Sequence, residues 1–273
     1  MEKDFINILQ DIKNKAYDFN GYDVKEILNQ SLAMIGDQNP KVRDDLVYPV
    51  LAHLFHDKHL SEQDLESNLD VLLSDDYLFY DMHNEKLYSA LKRSFTVLQL
   101  VIICYVHRKD HVISQEKINH LLERFLSYYI HEDILTGYDP KVGWIHTIAH
   151  SADLFHQLVQ VEHFLETDIM SMLDAIQIKM MNKQHDFVFN EDERTVVAVK
   201  KVLESNKVNQ DKILSWIDGF LIKDKTMVYL DLINLENNIK RLLRSLYFSV
   251  YKDEKYQEVV KHIEIVLTEN QKR

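Results

Sequence analysis

The sequence predicts an all-α protein of stacked antiparallel helical hairpins, of the HEAT-like α-solenoid kind. Three observations carry that expectation. The 273 residues include only five Gly and three Pro; strands joined by hairpins need those residues, and helices joined by short polar turns do not. Apolar residues recur at steps of three and four almost throughout. Several segments open with an N-capping signature. Hydrophobic residues make up 46 % and charged residues 28 %, the balance of an ordinary globular chain with ample material for a core. No composition shift or low-complexity run marks a linker, so residues 1–273 are expected to form a single helical domain.

Taken in order, Phe5, Leu9, Ile12 and Ala16 draw one stripe along a first helix. Asp23 with Glu26, Ser61 with Asp64 and Asn190 with Glu193 each place an acceptor before a helix and an acid in its first turn. Unpaired N–H groups and the helix dipole favour negative charge there. Gly36 and Gly219 read as stops or turn positions. QNPKVRDDLVYPVLAHLF, 38–55, has the polar turn, Pro and Val-Arg of a HEAT-type repeat, or is an ordinary helix opening with Asn-Pro. Pro40 suits a first helical turn, whereas Pro49 should kink the helix or end its first half. FTVLQLVIICYV, 95–106, is the most apolar run; at about a dozen residues it is too short to span a bilayer. HEDILTGYDPKVG, 131–143, is the one longer irregular stretch.

The formal net charge is −12, from 32 basic and 44 acidic residues. Such a surface repels phosphate backbones, so nucleic acid is not the expected partner, despite the basic spot KRLLR at 240–244. The single cysteine, Cys104, excludes an intramolecular disulfide, suits a reducing compartment and lies where a small core residue is expected. The opening MEKDFINILQDIKNK has no continuous apolar region of the signal-peptide kind. The expectation is a cytoplasmic protein with no membrane association.

The stretch that carries chemistry is GWIHTIAHSADLFHQL, 143–158. Plotted as a helix, His146, His150, Asp153 and Gln157 fall within a strip about 60° wide. Trp144, Ile145, Ile148, Ala149, Ala152, Phe155 and Val159 fill the opposite arc. A helix that is apolar on most sides with one polar seam reads as an interior helix whose seam faces a groove or a polar neighbour. His146 and His150 at i and i+4, with Asp153 three further on, have the spacing of helical zinc sites. The Glu of H-E-x-x-H is absent, since Thr147 follows His146, and no Cys pair is available. Three readings stay open: a buried hydrogen-bonded network, a concave ligand or partner site, and a catalytic metal site.

Other histidines carry less. His53, His56 and His59 recur at three-residue spacing, and His56-Asp57 and His185-Asp186 spell the dyad of metal-dependent phosphohydrolases. Two such dipeptides among 14 histidines are weak evidence, and these clusters read as solvated helix ends. No glycine-rich phosphate loop, G-x-S-x-G elbow or Ser/Cys nucleophile motif occurs.

IGDQNPKVRDDLVYPVL, LKRSFTVLQLVI, the GWIHTIAHSADL block and NEDERTVVAV, in that order over roughly residues 30 to 205, resemble the bacterial family designated domain of unknown function 2785. The Gly-Trp-x-His-x-x-Ala-His-x-x-Asp core is the specific part. The resemblance implies a helical, HEAT-like bacterial protein and supplies no reaction. The family often approaches the motif through Arg-Asp-x-Arg-Gly-Tyr; here His131 to Tyr138 keeps an acid and the Gly-Tyr without the arginines.

The expected function is a binding or scaffolding module for a protein or small ligand. Its groove would be lined by Gly143, Trp144, His146, His150, Asp153 and Gln157, with Trp144 packing the motif helix and Asp133 and Arg43 nearby. Arg43, Arg93 and Arg194 are either complementary charges around that groove or structural ion pairs to acids such as Asp44 and Asp192. The alternative is a metal-dependent hydrolase in which His146, His150 and Asp153 hold the ion, with Asp133 or Glu132 as base if the preceding stretch folds over the motif. No tightly bound metal and no cofactor are expected.

Overall fold

The structure is a computed structural model, and it describes residues 2–82, 84, 86–224 and 226–272. It is mostly helical, as composition and periodicity predict. The chain divides into two compact units, one of residues 1–128 and 132–154, the other of 129–131 and 155–273. The division is interleaved in sequence, because three residues of one helix belong to the second unit.

The first unit opens with α1 (Glu2–Asn14) and α2 (Val24–Ala33). Phe5, Leu9 and Ile12 are buried as the stripe requires, but Ala16 lies beyond the helix with φ of 54° and is exposed. Asp23 caps α2 by accepting from the N–H groups of Lys25 and Glu26. The next helix is continuous but not uniform: a short α3 (Pro40–Val42), a π turn over Arg43–Val47, then α4 (Tyr48–His56). Pro49 explains the turn. It has no N–H for the carbonyl of Asp45, and the chain widens there, with the Tyr48 N–H reaching back to the Arg43 carbonyl. The freed Asp45 carbonyl accepts instead from Lys13 Nζ at 2.9 Å. α5 (Glu62–Leu72) begins with the full reciprocal box of Ser61 and Asp64.

α6 (Ser89–Asp110) is the core of this unit and packs against α4 and α5. The apolar run expected to be about a dozen residues long is part of a helix of 22. By length and composition that helix could cross a membrane, yet 72 % of its most apolar window is buried inside the protein. A helix apolar all round is what a core position demands. Cys104 lies on it, fully buried, and burial pushes its thiol up to about 12, so it serves as a packing residue. Gly36 explains how the turn after α2 lies against α6: a Cβ there would come within 2.7 Å of the Lys92 backbone.

α7 (Gln115–His131) leads into the irregular stretch, which contains one short antiparallel pair, β1 (Tyr138–Asp139) and β2 (Gly143–Trp144). α8 (Thr147–Leu158) follows. In the second unit α9 (Glu166–Met180) packs on α10 (Glu191–Ser205), α11 (Gln210–Asp218) and α12 (Tyr229–Val250). α12 pairs with α10, and α13 (Gln257–Gln271) with α11. Trp216 is buried and donates its indole N–H to the Leu173 carbonyl at 2.8 Å. Asn190 precedes α10 as expected, but it takes a left-handed φ of 65° and makes no side-chain cap. Gly219 closes α11, and its missing side chain leaves room for Gln177 of α9.

Candidate functional site

The motif is not helical from its first residue. Gly143 and Trp144 form β2, and the helix starts at Thr147. Asp139 Oδ1 accepts from the N–H groups of Lys141 and Val142, which turns the chain. Gly143 then takes φ of 77°, and the Gly137 carbonyl accepts from both Ile145 and His146. His146 itself has φ of 54°, a conformation uncommon for a non-glycine residue, and its carbonyl accepts the His150 N–H at 2.9 Å. His146 therefore sits at the entrance to α8. The helical strip keeps His150, Asp153 and Gln157 and loses its first member.

Two buried arginines hold this loop. Arg43 is completely inaccessible. It donates from Nη1 to the Asp37 carbonyl at 2.8 Å and from Nη2 to the carbonyls of Val142 at 2.9 Å and Trp144 at 3.3 Å. Its Nε pairs with Asp44 at 2.8 Å, and its guanidinium lies 4.7 Å from the centre of the Phe95 ring. Burial pushes the Asp44 carboxyl up while Arg43 pulls it down. Arg93, 1 % exposed, makes a two-pronged pair with the equally buried Glu132, both bonds at 2.7 Å. Its Nη1 donates to the Tyr80 carbonyl and to Ser89 Oγ. Burial opposes the charge of Arg93, and Glu132 more than restores it. The planar fork of a guanidinium suits this task, since its five donors reach several segments at once.

His150 is buried in the same framework. Ser94 Oγ donates its one proton to the Ile145 carbonyl at 2.5 Å, so the contact at 2.7 Å with His150 Nδ1 has the ring N–H donating. The ring meets Phe95 edge-on at 5.3 Å. This is the buried-network reading for His150, with Ser94 and Phe95, which sequence spacing does not single out, as its partners. Asp153 and Gln157 are half-buried. Thr147 donates to the Ile134 carbonyl at 2.8 Å, so the irregular stretch does fold over the motif. Glu132 is committed to Arg93, however, and Asp133 is exposed.

Trp144 departs from expectation in the other direction. It is 45 % exposed, with its indole stacked on the His146 ring at 4.3 Å and 5°. Tyr138, 40 % exposed, meets it edge-on at 4.9 Å. His146 is half-buried, with its ring centre 5.6 Å from that of His150. Among the described residues no three His, Cys, Asp or Glu side chains are grouped so as to hold a metal ion, His146, His150 and Asp153 included.

The other candidates resolve locally. His53 and His56 both bond Asp57, which closes α4, at 2.6 Å, and all three are substantially exposed: a solvated helix end. Their bonds hold the Asp57 carboxyl below its usual range. His185 is half-buried and Asp186 pairs with Arg241 at 3.3 Å. Asp192 accepts from Ser245 Oγ at 2.6 Å.

Comparison with known proteins gives one match to a family model, over residues 78–248, described as "Protein of unknown function (DUF2785)". The match begins later and runs further than the 30 to 205 read from the motifs, so the Asn-Pro helix lies outside it. No curated protein and no solved structure matches the chain. Since the matched span includes the whole motif and well over half of the 273 residues, the chain belongs to the DUF2785 family.

Proposed function

We propose that this protein is a binding module, built in each unit from helical hairpins of the HEAT kind, and acting in the bacterial cytoplasm. Its contact surface is the β1–β2 hairpin, with Trp144 at the centre, Tyr138 at its edge and His146 behind it. One observation carries the reading: an exposed, stacked tryptophan stands on a loop fixed from beneath by two fully buried arginines. Burying a guanidinium is costly unless every donor is matched. That cost is met here to hold a backbone whose outer side chains face solvent. Exposed aromatic side chains on a rigid support are the common anchors of recognition, because they offer large contact area at little loss of conformational freedom.

The test compares Trp144→Ala with the parent protein, each immobilised and exposed to extract of the native host. The expected result is one partner or ligand retained by the parent and lost by the variant, with unfolding stability nearly unchanged. If the same molecules are retained by both, or if the variant loses several kcal/mol of stability, the hairpin is structural and the reading fails.

A further inference from the structure

A second feature of the first unit is assigned no role by the binding surface. Between the turn after α2 and the start of α6 lies a half-open cavity of about 900 Å³, lined by Gly36, Asp37, Tyr80, Lys86, Tyr88 and Lys92 among others. Its walls are built rather than incidental. The same buried arginines that hold the hairpin hold the cavity backbone: Arg43 takes the Asp37 carbonyl, and Arg93 takes the Tyr80 carbonyl and Ser89 Oγ.

One ammonium of the lining has no carboxylate paired with it. The Lys92 ammonium is half-buried, 4.4 Å and 4.5 Å from the ring centres of Tyr77 and Tyr80. No carboxylate among the described residues lies within ion-pair distance of it. Burial lowers its pKa, against the pull of Asp76. Lys86 is exposed at the same cavity. Lys92 and Arg93 also stand near the start of a 22-residue helix whose first turn has no acid and no side-chain cap, where the dipole disfavours cations. Asp37 and Asp81 also line the cavity, and Asp37 accepts from the Asn39 N–H at 2.7 Å.

We propose that this cavity binds a small phosphate-bearing molecule, its anionic group meeting Lys92, with Lys86 at the rim and tyrosine faces beside the remainder. A doubly charged group fits two lysines better than a single carboxylate does, and the volume exceeds what inorganic phosphate alone would fill. The site is distinct from the hairpin surface and stands or falls independently of it.

Calorimetric titration at fixed ionic strength tests this, using phenyl phosphate, inorganic phosphate and benzyl alcohol as probes. Saturable one-to-one binding of phenyl phosphate is expected, with inorganic phosphate weaker and benzyl alcohol showing none. Lys92→Met, which keeps the apolar stem, should weaken phenyl phosphate by about tenfold or more, and Lys86→Gln by about threefold. If Lys92→Met does not fold, Lys86→Gln decides alone. Absence of saturable binding, equal binding of benzyl alcohol, or affinity unchanged in the folded variants overturns the proposal.

Discussion

Two irregular segments, one in each unit, are pinned to helices by different means. Residues 132–146 of the first unit hang on Arg43 and the Arg93–Glu132 pair, charges buried outright. The loop after α9 in the second unit hangs on Asn238 of α12, neutral and equally buried. Asn238 accepts the Phe187 N–H at 2.9 Å and donates to the carbonyls of Asn182 at 3.0 Å and His185 at 2.8 Å. Arg241 adds a bond to the Phe187 carbonyl at 2.7 Å from a partly exposed position. The loop held by the amide turns Phe187 inward and leaves Phe189 half-buried. The loop held by guanidiniums turns Trp144 and Tyr138 outward. The Asn238 amide joins backbone groups within one stretch, residues 182–187, whereas the Arg43 guanidinium joins the distant carbonyls of Asp37, Val142 and Trp144.

The largest effect should come from breaking the charged anchor. Arg93→Met leaves Glu132 buried without its cation and is expected to cost about 3–5 kcal/mol in denaturant unfolding. Adding Glu132→Gln should recover much of that loss, which a merely steric role for Arg93 would not allow. Next, Asn238→Ala strands one N–H and two carbonyls and should cost about 3 kcal/mol. A smaller penalty than for Arg93→Met is what separates a neutral anchor from a charged one. His150→Ala removes the ring that completes the Ser94 bond and should cost about 1–2 kcal/mol. No measurable loss there would place His150 outside the framework.

Trp144→Ala should cost no more than about 1 kcal/mol, because its stacking partner is its own loop neighbour. The smallest effect concerns the start of α10. Glu191 is buried beside the Asn238 loop, accepts from the Phe189 N–H, and burial pushes its carboxyl above the usual range. A raised folded pKa favours the protonated form, so the stability it contributes is present in acid and lost as pH rises through that value. Glu191→Gln should therefore give a small gain at neutral pH that disappears in acid, measured by unfolding across pH.

Much of the local structure was legible in the chain. Asp23 and Ser61 cap the helices that their spacing announces, and Pro40 opens one, because a cap is a bond between residues two or three apart. Asn190 shows the limit: the residue type is right, yet its backbone turns left-handed and its side chain makes no cap bond. Pro49 predicted an interruption; the π turn that answers it also involves Lys13 from another helix.

By itself, then, the sequence determined the helical class, the burial of Cys104 and α6, the starts of α2, α3, α5 and α10, and the stretch where polar residues gather, all consequences of short-range periodicity and capping. Tertiary structure alone decided that Trp144 faces out and that His146 stands before the helix rather than on it. The reason is distance along the chain: the carbonyls of Val142 and Trp144 are held by Arg43, 99 and 101 residues away, and Glu132 by Arg93, 39 residues away. A helical projection of residues 143–158 contains none of those donors, so it winds into a helix what long-range hydrogen bonds fold into a hairpin.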